Sequence, residues 1–133
     1  MIDAAAVGRE LPPVTVTVDA GRLRFFAEAT GGEATETVPP TFLFGLELER
    51  PDPFDWLADL GVDLRNVLHG EQKFVYHSPA RAGDTLVLSP RITDIYAKKG
   101  GALQFVVKET AVTRADGGAV ADLTSVIVVR EAR

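Results

Sequence analysis

Between Phe42 and Leu48 the apolar residues Phe42, Leu43, Phe44, Leu46 and Leu48 crowd into a single short run. Wound as a helix they cover nearly the whole circumference, and a helix that is apolar on every side has no face to offer water. It must be enclosed. The rest of the chain therefore has to build a wall that wraps it. The approach through Val38-Pro39-Pro40 favours extended backbone, because each proline restricts the residue before it, and Thr41 can open the helix.

The second half of the chain supplies the wall. Val67 to His77, Thr85 to Tyr96, Leu103 to Thr113 and Val120 to Val129 are four long extended candidates. Ser78 to Asp84, Lys98-Lys99-Gly100-Gly101 and Ala115-Asp116-Gly117-Gly118 separate them with turn-forming residues. Consecutive strands joined in this way are expected to pair antiparallel. Ahead of them, Val14 to Val18 alternates valine with threonine at the period of a strand. Asp19 is placed to cap a helix that buries Leu23, Phe26 and Ala27 and ends near Thr30-Gly31-Gly32. A further short helix follows Asp52-Pro53, with Phe54, Trp56, Leu57 and Leu60 as its packing surface before Gly61. At 133 residues, 46% hydrophobic and 25% charged, the chain is expected to form one domain over residues 1–133, of α+β class.

Both histidines fall in one stretch, His69-Gly70-Glu71-Gln72-Lys73-Phe74-Val75-Tyr76-His77, which runs on through Ser78-Pro79-Ala80-Arg81-Ala82-Gly83-Asp84-Thr85. Its β-branched and aromatic core reads as strand, and Pro79 with Gly83-Asp84 as a corner. His-Gly-Glu-Gln, an aromatic strand and then Pro-x-x-x-Gly-Asp-Thr resemble the N-terminal-type hot-dog domain of MaoC-like dehydratases and enoyl hydratases. The likeness extends to Gly21 to Ala27, to Pro39 to Phe44 and to the closing Leu123 to Arg130 strand. It implies a hot-dog fold, a curved antiparallel sheet of about five strands around a buried central helix. It also implies acyl thioesters of coenzyme A or acyl carrier protein as ligands, and the hydration of trans-2-enoyl or dehydration of 3-hydroxyacyl forms. A dimer, with an identical or a catalytic hot-dog partner, is implied as well.

In catalytic members of that family, the loop after the first helix resembles Gly-Asp-x-Asn-Pro-x-His, whose Asp and His activate water. Here Thr30 and Val38 are separated only by Gly31-Gly32-Glu33-Ala34-Thr35-Glu36-Thr37, and related proteins carry a longer insertion at this point. A non-catalytic partner or degenerate subunit is therefore the expectation. The alternatives are a non-enzymatic acyl-thioester-binding or structural module, and a thioesterase-type enzyme using Glu33 or Glu36 with water. Reversible hydration also needs donors for the oxygen of the developing enolate. Pro40, Thr41, Phe42 and Leu43, at the start of the buried helix, are candidates for that role.

His69 beside Gly70 is a candidate for lining the site, and a weak one for chemistry, against the alternative of a hydrogen-bonded strand-end residue. Glu71 and Gln72 can anchor a pantetheine amide or serve strand-edge hydrogen bonding. Eight strand steps of about 3.3 Å put His69 and His77 roughly 26 Å apart, on one face by simple alternation, so they form no pair. His77 reads as an exposed strand-end residue. Lys98 and Lys99 can meet coenzyme A phosphates or remain a solvated turn, and Asp52, Asp55 and Asp59 read as a polar helix face rather than a metal site.

A formal charge of −5 and a pI near 5.0 argue against a general nucleic-acid binder, and the absence of cysteine removes disulfides, thiolate nucleophiles and sulfur-ligated zinc. No dinucleotide or phosphate-binding glycine motif and no Gly-x-Ser-x-Gly occurs. No apolar run approaches the roughly 20 residues that span a bilayer, and no secretory leader is evident, so a soluble cytoplasmic protein with no metal and no cofactor beyond its substrate carrier is expected.

Overall fold

The computed structural model describes residues 1–33 and 35–131. Five antiparallel strands form one sheet: β1 (Val14–Thr17), β2 (Val67–Tyr76), β3 (Thr85–Lys98), β4 (Leu103–Arg114) and β5 (Ala119–Arg130). Their spatial order is β1-β3-β4-β5-β2, which leaves β1 and β2 at the edges. Among the described residues three α-helices accompany them, α1 (Ala20–Thr30), α2 (Phe42–Glu47) and α3 (Asp55–Asp59). Among the described residues no helix is long and apolar enough to cross a membrane.

The enclosed helix is α2. Leu43 and Leu46 are fully buried against Val16, Leu86, Leu88, Val112 and Leu123, so the inner face of β1, β3, β4 and β5 closes over it. Trp56 and Leu57 of α3, with Leu11 and Val62, cover Ile92, Val106 and Val129 at the other end of the sheet. Asp19 caps α1 as its sequence position requires, accepting from the Arg22 amide, and Gly31 closes the helix in the left-handed conformation at φ +77°. The third helix is shorter than expected, because Asp52 to Phe54 make turns before Asp55 begins it.

Two expectations need correction. The strands β2 and β3 follow one another but do not pair, since β2 lies beside β5 on the far edge. Ser78 to Asp84 crosses the end of the sheet instead, and seven residues reach about 23 Å against the roughly 14 Å of three interstrand spacings. The crossing is tied down on both sides. Val38 N–H donates to Ala80 O at 2.8 Å and Ala82 N–H to Glu36 O at 2.9 Å, while Gly83 N–H donates to Val18 O at 2.8 Å. The second correction concerns α2, which is not apolar all round: Glu47 is only 7% exposed. Its Oε1 accepts from the Thr110 hydroxyl and lies 3.5 Å from Lys108 Nζ, which sits 5.2 Å from the centre of the Trp56 ring. Removing a buried aliphatic side chain forfeits its transfer energy and leaves a cavity. Leu43→Ala should therefore lower stability by about 2–5 kcal/mol, read as a reduced urea midpoint with unchanged slope.

Candidate functional site

The seam between β2 and α2 holds most of the residues singled out by sequence. Pairing of β2 with β5 shifts at Gly70, so that His69 faces Ile127 while Glu71 already faces Val126. A bulge of this kind breaks strand alternation. His69 therefore points inward with Val67, Gln72, Phe74 and Tyr76, and Glu71, Val75 and His77 point outward. Simple alternation had put both histidines on one face; the extra residue puts them on opposite faces. Glycine is required at the bulge, because a Cβ on Gly70 would lie 2.8 Å from Val128 Cγ2.

On the inner face the His69 ring packs 5.1 Å from Phe44 of α2. Its Nε2 lies 3.0 Å from Glu71 O and 3.1 Å from Gln72 Oε1, two acceptors, so the proton sits on Nε2 and donates to both. The Ser125 hydroxyl donates to the same Gln72 oxygen at 2.5 Å. Gln72 Nε2 is buried without a partner. The carbonyl of Glu71 thus joins this network while its side chain lies on the outer face.

At the start of α2 the candidates separate. Phe42 and Leu43 are core residues, with Phe42 edge-on to Phe26 at 5.3 Å. The Phe42 and Phe44 amides donate to Pro39 O and Thr41 O, so the turn itself consumes them. Pro40 and Thr41 are exposed. Pro40 O accepts from the Tyr76 hydroxyl at 2.6 Å, which locks the approach to α2 onto the end of β2.

Beyond that bond opens a cleft of about 410 Å³, lined by Thr37, Val38, Pro40, Tyr76, His77, Ser78 and Pro79. Its size is that of a small-molecule site. His77 Nε2 lies 2.8 Å from Asp122 Oδ2, and the Ser78 hydroxyl donates to Ala119 O at 2.6 Å while accepting from Arg114 at 2.9 Å. Sequence reading missed Tyr76, Ser78 and Asp122 and set His77 aside, because the partners lie 36 to 45 residues away. Glu33 and Glu36 are exposed on the segment leading to Thr37. Lys98 and Lys99 lie at the opposite end of the sheet, where Lys98 Nζ covers the stacked Tyr96 and Phe105 rings. Among the described residues no cluster of three or more potential metal ligands occurs.

Residues 32–123 match the FAS1-like, dehydratase domain region family. A UPF0336 protein of Saccharopolyspora erythraea is 32% identical over 146 aligned positions, covering 97% of this chain and 92% of the relative. Among solved structures, the C-terminally truncated HadBC (3R-hydroxyacyl-ACP dehydratase) complex of Mycobacterium tuberculosis superposes with a TM-score of 0.78 at 22% identity, covering 92% of this chain and 96% of that one. A MaoC-like dehydratase gives a TM-score of 0.80 at 21% identity, covering 96% of this chain and 43% of its own. The hot-dog architecture read from the sequence is the one these structures share.

Burial pushes the Tyr76 phenol up to about 12 from its ordinary value of 10.0. The folded chain thus holds this proton more tightly than the unfolded chain does. The associated stability is complete below pH 10 and is lost as pH rises through about 12. A tyrosinate absorbance titration should show a component near pH 12 that disappears in Tyr76→Phe.

Proposed function

Because the chain belongs to the FAS1-like dehydratase-region family of MaoC-like hot-dog proteins, we propose that it binds acyl-CoA or acyl carrier protein thioesters as one half of a hot-dog dimer. The reaction served is (R)-specific hydration of enoyl thioesters and the reverse dehydration of 3-hydroxyacyl thioesters. The observations that support this reading are an apolar cleft at the end of β2 and, further along the same strand, the buried, unpaired amide donor of Gln72. From Gln72 to His77 the strand spans about 17 Å, a length suited to an extended acyl-pantetheine arm. The Gln72 N–H is the donor for a carbonyl of that arm, and the cleft beside Pro40 and Tyr76 takes an apolar portion.

In this reading the chain is the partner or degenerate subunit, and the Asp and His of hydration come from the other half. Residues 31–37 contain neither residue. The relative from Saccharopolyspora supports a shortened chain, since 146 aligned positions against 133 residues leave at least 13 that this chain lacks. The similarity to a HadBC complex supports a partnership between hot-dog chains. Ten residues of β2 lie at the sheet edge, where unpaired backbone groups are a template for a strand of the second chain. The ligand's carrier is then the only cofactor required, and the setting is the cytoplasm.

Calorimetry with crotonyl-CoA should register binding to the purified chain. Gln72→Leu should weaken it roughly tenfold, as expected for one lost hydrogen bond worth about 1.4 kcal/mol, and should also lower the urea midpoint, because His69 and the buried Ser125 hydroxyl lose their shared acceptor. Hydration of crotonyl-CoA by the chain alone should be negligible; robust turnover would overturn the partner-subunit reading.

A further inference from the structure

All three helices pack on the inner face of the sheet, through Leu23, Leu43 and Trp56, which leaves the outer face without a cover among the described residues. Strand register lays the side chains of that face out in rows. Tyr96 stands opposite Phe105, Phe105 opposite Val128 and Val128 opposite Leu68, one unbroken apolar row across β3, β4, β5 and β2. At its two ends Tyr96 is 37% and Leu68 51% exposed. The Tyr96 and Phe105 rings stack at 4.7 Å, and Lys98 Nζ lies 5.2 Å from the centre of the Phe105 ring.

The rows on either side stay apolar in the middle and carry charge of opposite sign. On one side Val107 and Val126 lie between Asp94 of β3 and Glu71 of β2. On the other, Leu103 lies between Lys98 of β3 and Arg130 of β5. A basic row, an aromatic row and an acidic row in that order match a second copy of themselves turned end for end. A twofold axis laid along the aromatic row sets Lys98 of one copy on Asp94 of the other, Leu103 on Val107, and Arg130 on Val126 beside Glu71. An axis along the strands would set basic row on basic row. In such an isologous contact every pair occurs twice. The geometry is that of aligned sheets packed face to face, about 10 Å apart.

The face is large enough for this. Four strands about 4.8 Å apart, followed from Arg91 to Lys99 at about 3.3 Å per residue, make a face of roughly 570 Å² per copy. A specific interface needs about 500 Å² from each partner. Contiguous exposed apolar surface rimmed by polar residues is also the pattern of an interaction site.

We propose that the outer face of the sheet is a self-association surface, on which a second copy of this chain docks with its strands reversed, the aromatic row at the centre and Lys98 paired with Asp94 across the twofold axis. The seam between β2 and α2 lies on the other face, and the backbone edge of β2 stays free. The contact is therefore additional to pairing along that edge and joins two such units back to back. It stands independently of thioester binding.

Sedimentation velocity of the full chain over a range of concentrations reads the association directly. The wild-type chain should associate, and Phe105→Asp should halve the mass of its largest species. Asp94→Lys and Lys98→Asp should each raise the dissociation constant by about tenfold or more, because like charges then meet twice. The double variant Asp94→Lys, Lys98→Asp exchanges the two charges and should recover wild-type association, a rescue that neither a folding defect nor a change in net charge produces. Should Phe105→Asp lose its cooperative urea transition, the charge variants decide alone. A wild-type chain that stays monomeric, an association that both single charge variants leave unchanged, or a double variant that fails to recover overturns the proposal.

Discussion

Leu43 and Leu46 are enclosed on every side, and a helix of six residues is too short to persist in water by its own hydrogen bonds. Helix and sheet therefore exist only together. What keeps α2 from sliding along an apolar wall is its one buried charge, Glu47, held by Thr110 and Lys108 of β4. Apolar packing tolerates small displacements, whereas a buried carboxylate deprived of its cationic partner costs about 3–5 kcal/mol. Glu47 thus sets the register of the helix, which in turn fixes where Pro40 and Phe44 meet β2.

Along β2 a single glycine distributes the chemistry. Without the bulge at Gly70, His69 and His77 would share a face and Gln72 would turn away from Ser125. With it, His69 and Gln72 face the central helix, while His77 faces Asp122 on the outer surface. One strand so serves two environments, a polar network beside α2 and a wet pair at the end of the sheet. A side chain at position 70 would press on Val128, so only glycine permits this division.

The sequence made much of this visible, and the reason differs from element to element. The buried helix could be read because five apolar residues in seven leave no polar face. The strands showed because alternation and turn residues are local signals. The strand order was not local: β2 pairs with β5 across some fifty residues, and nothing within Ser78 to Asp84 says whether the chain turns back or crosses. Glu47 was hidden for the same reason, because the burial of a glutamate depends on Thr110, 63 residues away. The candidate site divided along this line. His69, Gly70 and Gln72 belong to a local motif and lie at the seam, whereas Asp122, which gives His77 its orientation, belongs to another strand.

The segment before α2 is held in place from both ends. Thr37 and Val38 are not a free loop wall, since Thr37 bridges to Arg81 and the Val38 amide is held by Ala80 O. The opposite wall is equally fixed: Arg114 bonds Ser78 and the Pro79 carbonyl, and Asp84 accepts from the Arg81 amide at 2.9 Å. Backbone pairing, rather than loop side chains, sets the distance between the walls. A ligand entering between them has little chain to order, and the entropy of ordering a loop is a main cost of binding. The result is a preformed cleft whose polar groups, Tyr76 and His77, are held by bonds to distant parts of the chain.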